Sequence, residues 1–132
     1  MSVNLSLGRA SARRASASDL DFVLEVYGLN FKDVIEEARG WDEEAEKEYL
    51  AGEMSAAPFY ILTYDGSCAG FLSYVEAEDA VHIRHMEVHP DFSGRGIGTA
   101  VIRSFIRSLG GRSLRVAVSD GNHRGMEFYT NL

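Results

Sequence analysis

Apolar residues near the start of the chain recur at helical spacing, which predicts a helix behind a short strand. Residues 11–17 are interpreted as an edge strand with Arg13 and Arg14 facing outward. The helix has apolar positions three and four residues apart: Leu20, Val23, Leu24 and Tyr27. Ser18 precedes them with Asp21 three residues later, which is the pattern of a capping box.

A second helical region is predicted from Asp33 to about Gly52, where a partial apolar stripe follows one side. Gly40 interrupts this region and can divide it in two. Its outer face is acidic: Glu36, Glu37, Asp42, Glu43, Glu44, Glu46 and Glu48. Two interpretations stay open for this face, a solvated helix surface or one wall of a cleft that attracts amines. Trp41 belongs either to that wall or to the core.

Alternating apolar residues then predict three strands joined by tight turns. They span residues 59–64, 69–76 and 80–88. Asp65-Gly66-Ser67 is interpreted as a hairpin loop between the first two strands. Glu78-Asp79 makes another turn before the third strand.

The third strand leads into the most informative segment of the chain, residues 88–100. Pro90 stops the strand, and glycines follow at Gly94, Gly96 and Gly98. A run at helical spacing comes next: Ile97, Val101, Phe105 and Leu109, with Ile102 and Ile106 beside it. Glycines let backbone amides approach a ligand closely, and a helix start offers unpaired amides and a positive dipole end. The segment therefore predicts a phosphate or pyrophosphate site.

The C-terminal part predicts one more strand and one more helix. Gly110-Gly111 ends the preceding helix. The strand has alternating apolar residues: Leu114, Val116 and Val118. After a break at Asp120-Gly121, a last helix opens at Gly121 or Asn122. No internal repeat or linker divides the chain, so residues 1–132 are expected to form one domain.

Composition and charge narrow the range of functions. The 132 residues are 45% hydrophobic and 25% charged, as in ordinary globular domains. A net charge of −7 makes a general nucleic-acid binder a poor fit. It suits an amine substrate, although acidic surfaces are also common for solubility alone. Cys68 is the single cysteine, so no internal disulfide is possible. No apolar run approaches the roughly 20 residues of a membrane span, and no secretory signal is evident, so the cytoplasm is the expected location.

Two segments resemble motifs of the GCN5-related N-acetyltransferase superfamily. Its acyl-CoA motif is Gln/Arg-x-x-Gly-x-Gly/Ala after a strand ending Leu-x-Val-x-Pro. Here the strand ends Met86-Glu87-Val88-His89-Pro90 and the loop is Ser93-Gly94-Arg95-Gly96-Ile97-Gly98, with Ser93 where Gln or Arg is usual. Residues 122–129 are similar to the family's Asn-x-x-(Ala)-x-x-Phe-Tyr, with Gly125 at the usual Ala. The predicted order of elements also matches, so the resemblance implies the acyl-CoA N-acyltransferase fold, a mixed, mostly antiparallel sheet flanked by helices.

The resemblance implies transfer of an acetyl group from acetyl-CoA to a primary amine, on a small molecule or a peptide, by direct attack. The residues that it assigns to the cofactor are Met86, Glu87, Val88, Ser93, Gly94, Arg95, Gly96, Ile97, Gly98, Thr99, Asn122 and Tyr129. Tyr129 matches the family tyrosine that protonates the departing thiolate, because a phenol with a pKa of about 10 is protonated at neutral pH. Asn122 contacts the cofactor or caps a helix.

The amine must also lose a proton, and family members differ in the group that takes it. His82 and Glu87 are the catalytic candidates on the strand before the loop, with His85 third. Strict alternation puts His82, Met86 and Val88 on one face and His85 and Glu87 on the other, but a bulge would switch this parity. The base is therefore left open. The histidines show no ligand spacing that would indicate a metal.

Two other functions are weighed. A dinucleotide site fits poorly, because Thr99 and Val101 stand where Gly-x-Gly-x-x-Gly needs its third glycine. A non-catalytic acyl-CoA-binding module, or an inactive fragment of the same fold, is the stronger alternative. Ser93 supports it, and so does the expectation that the final strands of the family fold are missing after Leu132. Those strands could come from a partner chain, which leaves a homodimer open.

Overall fold

A computed structural model of the chain describes Leu5 and residues 7–116. Its regular elements are β1 (Ala10–Arg14), α1 (Leu20–Arg39), α2 (Glu43–Ala56), β2 (Phe59–Tyr64), β3 (Ser67–Glu76), β4 (Ala80–Val88), α3 (Ile97–Arg107) and β5 (Ser113–Val116). The last predicted helix, with Asn122 and Tyr129, lies outside the described residues. None of the described helices combines the length and the apolar character that crossing a membrane requires.

The sheet has the strand order β1-β2-β3-β4-β5, and its first four strands pair in antiparallel fashion. β4 and β5 are parallel, in a register that begins with Ala80 opposite Ser113 and ends with Ile83 opposite Val116. Parallel neighbours need a crossover, and α3 supplies it. The prediction of a mixed, mostly antiparallel sheet flanked by helices is confirmed, as is the edge position of β1.

Two apolar cores hold the helices on opposite faces of the sheet. One face packs against α3 through fully or almost fully buried side chains, among them Leu62, Leu72, Val81, Ile83, Val101 and Phe105. The other face packs against α1 and α2 through Val23, Val26, Leu50, Phe59, Ile61 and Phe71. Burial of each such side chain contributes about 1.5–3 kcal/mol, so both helical layers are fixed firmly to the sheet.

The helices begin and end at different residues from those predicted. α1 continues to Arg39 and stops at Gly40, whose φ of 81° is left-handed, so residues 33–39 belong to the first helix. α2 starts after Asp42, whose side chain accepts a hydrogen bond from the amide of Ala45 at 3.2 Å. Gly40 divides the helical region, as its position allowed.

The predicted capping box at Ser18 and Asp21 is wrong. The box uses Ser16 and Asp19, and the Asp19 carboxylate accepts from the amide of Ser16 at 2.8 Å. Arg13 on β1 binds the same carboxylate at 2.9 Å. With this contact from the strand, the capping box lies two residues earlier than the local sequence pattern indicated.

A β-bulge in β4 changes which side chains share a face. Ser73 pairs with His85 while the next residue of β3, Tyr74, pairs with Ile83, so Arg84 is the extra residue. Before the bulge, Ile83 faces the α3 core; after it, Met86 and Val88 pack on that core. The His85 ring packs at a tilt against that of Phe59, 5.3 Å away, on the side of the α1/α2 core. The bulge therefore puts Met86 and Val88 on the face opposite that of His82.

Candidate functional site

The segment between β4 and α3 is anchored at its start by His89. Its Nδ1 accepts a hydrogen bond from the amide of Asp91 at 3.0 Å, which caps a short 3₁₀ turn over Pro90–Phe92. With Nδ1 acting as acceptor, the ring proton lies on Nε2, which is 3.2 Å from Oε2 of Glu25 on α1. The imidazole thus ties the loop entrance to α1.

The loop then reaches α3 through two left-handed glycines. Gly94 has a φ of 79° and Gly96 a φ of 75°, a region that glycine adopts at little cost. Gly96 is also the N-cap of α3 and has no side chain to accept from the first helical amides. Those amides belong to the first turn that follows: Ile97, Gly98 and Thr99. Unpaired amides at the positive end of a helix can bind an anion, and the structure places the predicted residues 94–99 together around such a helix start.

The first residue of the family motif is used inside the turn. The hydroxyl of Ser93 donates to the carbonyl of Pro90 at 2.8 Å. A serine therefore closes the turn locally, where a longer Gln or Arg would extend outward. The anion-binding capacity of the loop then depends on backbone amides and on Arg95.

Arg95 carries the positive charge of the loop. Its guanidinium lies over the ring of Phe92 at 5.3 Å and over the ring of Tyr64 at 5.4 Å, and the residue is exposed. Contacts with two ring faces restrict a long side chain without neutralising it. The loop therefore presents a cation beside its unpaired amides.

The end of β4 faces α1 through Glu87. Asn30 Nδ2 donates to Glu87 Oε1 at 2.9 Å and to the carbonyl oxygen of Val88 at 3.2 Å. Asn30 was missed from the sequence, although it continues the inward spacing of Val23 and Val26. A polar residue at an inward helix position was the signal that could have identified it.

The two histidine candidates precede Glu87 along β4, so they lie further from the loop than Glu87 does. His82 is exposed and precedes the bulge. His85 follows the bulge and binds Oε1 of Glu53 on α2 at 2.7 Å, and Arg84 binds the same oxygen at 3.0 Å. Of the three base candidates, Glu87 is the one that lies at the strand end beside the loop.

The acidic face of the second helical region is only partly solvated. Glu43, Glu44 and Glu48 are exposed, whereas Glu46 is 2% exposed and forms a two-point ion pair with Arg39 at 2.8 and 3.1 Å. Tyr27 lies against this pair, and burial with the nearby Glu46 charge raises the pKa of Tyr27 to about 12. The charge of Glu46, the buried residue of this face, is thus balanced by Arg39.

Trp41 packs in the joint between the two helices. Its ring lies 5.9 Å from that of Tyr27, and its backbone amide donates to Glu36 at 2.6 Å. A β-carbon at Gly28 would lie 3.7 Å from the indole. Within residues 7–116, no group of three or more acidic, cysteine or histidine side chains is arranged to hold a metal ion.

Comparison of the sequence with known proteins identifies a family. The model of the acetyltransferase (GNAT) family matches residues 21–132. An uncharacterised N-acetyltransferase from Methanocaldococcus jannaschii is 30% identical over 91% of this chain, and the chain spans 58% of that relative's length.

Two solved structures share the fold. The PaiA N-acetyltransferase from Thermoplasma acidophilum, in complex with coenzyme A, has a TM-score of 0.64 at 19% identity, over 92% of this chain and 87% of its own. The ribosomal-protein-S18-alanine N-acetyltransferase from Escherichia coli has a TM-score of 0.62 at 20% identity, over 92% and 75%. Since the family model covers most of the sequence, including β4, the glycine loop and α3, the chain belongs to the acetyltransferase (GNAT) family.

Proposed function

We propose that this chain is an N-acetyltransferase that moves the acetyl group of acetyl-CoA to a primary amine of a small molecule or a peptide. One observation carries the proposal: Gly94 and Gly96, both left-handed, lead into a helix start that no side chain caps. Glu87 stands at the end of the strand before this loop. The loop with the uncapped helix start thus follows directly on the strand that carries a candidate base, and this arrangement supports acyl transfer from a pyrophosphate-containing donor.

The amides of residues 94–99 bind the pyrophosphate of the donor. A hydrogen bond to a charged group contributes about 1.5–3 kcal/mol, so a few of these amides suffice for tight binding. Arg95 adds a cation held by Phe92 and Tyr64. The bound coenzyme A of the Thermoplasma protein supports this choice of donor.

The pantetheine arm follows the end of β4. Pairing of β4 with the described residues of β5 ends at Ile83 opposite Val116. Met86, Glu87 and Val88 continue beyond that point toward the loop. An extended arm with its own amides can add to a strand edge as another strand would. The thioester then lies near Val88, where the family resemblance assigns a backbone amide to the developing oxyanion.

Glu87 is the group to which we assign proton removal. The acceptor enters as an ammonium ion and gives one proton to the Glu87 carboxylate. Its nitrogen then attacks the thioester carbon, so that a C–N bond forms and the C–S bond breaks. The sulfur leaves as a thiolate and gains a proton, a role that the resemblance assigns to Tyr129. As the C–S bond breaks, the second proton of the nitrogen replaces the one that Tyr129 gives to sulfur. The amide product and CoA then leave, and Glu87 returns the first proton to solvent.

A thermal-shift titration with acetyl-CoA, with NAD and ATP as control ligands, tests the donor. A ligand at 100 times its Kd stabilises a fold by about 2.7 kcal/mol, which is readily measured at this size. Gly96→Glu should abolish the shift, because a carboxylate would enter the proposed anion site. Gly111→Glu is the matched control, since Gly111 is also left-handed, at a φ of 89°, but lies beyond the other end of α3.

Release of free CoA in the presence of amines separates the enzyme from a binding module. Stabilisation by acetyl-CoA together with amine-dependent CoA release supports the proposed function. Stabilisation without release for any amine tested would favour the non-catalytic alternative. No stabilisation of a folded sample, or equal loss in Gly96→Glu and Gly111→Glu, would contradict the assignment of the loop.

A further inference from the structure

We propose that Asn30 is a positioning residue that orients the Glu87 carboxylate. This inference rests on the proposed function, because it concerns the group that takes the amine's proton. The two N–H groups of the Asn30 side chain have two acceptors within hydrogen-bond distance, Glu87 Oε1 at 2.9 Å and the Val88 carbonyl at 3.2 Å. One amide thus joins the side chain of the strand's acid to the backbone of the next residue.

Asn30 occupies a place where an apolar residue would be ordinary. Val23 and Val26 are fully buried on the same inward spacing of α1. The carbonyl oxygen of Asn30, Oδ1, is buried and has no hydrogen-bond partner in the described part of the chain. An unpaired buried acceptor costs free energy that a leucine of similar size would not. The two hydrogen bonds that Asn30 donates offset this cost, and the bond to Glu87 gives asparagine a use that leucine would lack, the orientation of the carboxylate.

The contact affects Glu87 in two ways that matter for proton transfer. A hydrogen bond donated to Oε1 restricts the carboxylate to one orientation relative to the strand end. The same bond favours the ionised form, which is the form that accepts a proton. The bond to Val88 holds the backbone beside the expected thioester position. Asn30 on α1 therefore fixes the acid and the binding site of the acyl donor relative to each other.

The test compares Asn30→Leu with the neighbouring variant Leu29→Ala, since Leu29 is 54% exposed and faces away from the sheet. Asn30→Leu should keep the melting temperature and the Kd for acetyl-CoA. Its kcat should fall by about 10- to 100-fold, and the acid limb of kcat against pH should move up by about one unit. Asn30→Asp, which keeps the shape, should move that limb further because two carboxyls then face each other.

A double variant separates positioning from a structural role. Asn30→Leu/Glu87→Gln should lose no more activity than Glu87→Gln, because Asn30 acts through Glu87. Additive losses, a weakened Kd for acetyl-CoA, or a pH profile like that of Leu29→Ala would overturn the inference. If Asn30→Leu does not fold, Asn30→Asp provides the same pH comparison.

A spectroscopic reading keeps this inference distinct from the proposed function. NMR titration of the Glu87 side-chain carboxyl carbon needs no acceptor substrate. Protonation of Glu87 at higher pH in Asn30→Leu than in wild type supports the contact even if the wild type releases no CoA. An unchanged titration would refute it even in an active enzyme.

Discussion

Gly70 on β3 lies so close to the backbone of Glu87 on β4 that no side chain fits between them. A β-carbon at position 70 would overlap the carbonyl oxygen of Glu87 and lie 3.0 Å from the Cα of Val88. Gly70 pairs with Val88 in the register of the two strands. The strand end that carries the proposed acid is therefore set in place by the absence of a side chain on its neighbour.

Gly70→Ala should destabilise the fold by about 1–3 kcal/mol, because the added methyl must push β4 away. It should also weaken acetyl-CoA binding, since the displaced strand end leads directly into the loop. Urea unfolding and an acetyl-CoA titration measure the two effects. Gly52→Ala is the control: Gly52 lies inside α2 with open space around it, and alanine there should stabilise by up to about 1 kcal/mol. Equal stability of Gly70→Ala and wild type would contradict the close approach.

Arg95→Gln should weaken acetyl-CoA binding about tenfold, because the loop loses its charged hydrogen-bond donor. The remaining affinity should depend less on salt than that of the wild type, since one exposed charge interaction has been removed. Calorimetric titration at two ionic strengths checks both points. Arg103→Gln, an exposed arginine further along α3, makes the same charge change outside the loop and should bind as the wild type does.

Glu87→Gln should lower kcat more than His82→Gln does. Glu87 lies at the strand end beside the loop, whereas His82 is exposed and lies before the bulge. Loss of a general base typically costs about 10²–10⁴ in rate. Single-turnover rates with saturating acetyl-CoA make the comparison independent of donor affinity. A greater loss in His82→Gln would transfer the role of base to the histidine.

Arg13→Gln should make the protein less stable at neutral pH but not at very low pH. The Arg13 hydrogen bond lowers the pKa of Asp19 from its usual value to about 2, against the cost of burying the carboxyl. A carboxyl with a depressed folded-state pKa contributes stability above its unfolded pKa of about 4, and the contribution disappears as the pH falls to about 2. Urea midpoints from pH 7 to pH 2 should therefore converge for variant and wild type. If the urea midpoints of variant and wild type differed equally at every pH, the Arg13–Asp19 pair would not link stability to protonation of Asp19.

The glycine loop and the start of the helix that follows it could be predicted because their signals are local. A proline, closely spaced glycines and a helical repeat follow one another within a few turns, so Gly94, Gly96 and Ile97 were identified in place. The sheet order followed from tight turns such as Asp65-Gly66, where Asp65 has a φ of 50° and Gly66 of 86°. That turn is two residues long, so β3 begins at Ser67 and not at Ala69.

The rest of the site depends on contacts between distant parts of the chain. Asn30 and Glu87 are 57 residues apart, and no periodicity connects them. The burial of Glu46 depends on Arg39 reaching across the joint between two helices, so an acidic stretch alone could not distinguish it from its solvated neighbours. Asn122 and Tyr129, the single-domain boundary, a cytoplasmic location and a homodimer stay predictions.

The bulge at Arg84 makes the candidate site depend on the register of β4 as well as on its residue types. Along β4, the side chains alternate between the two faces in one pattern before the bulge, where the strand pairs with β5. After the bulge the pattern is reversed, and Glu87 turns toward α1. If Arg84 were instead paired in a regular ladder, the side chains after it would be rotated by half a turn, so Glu87 would point into the apolar layer under α3 and Met86 would take its place. A shift of register by one residue, with no change in the sequence, would thus remove the acid from the candidate site.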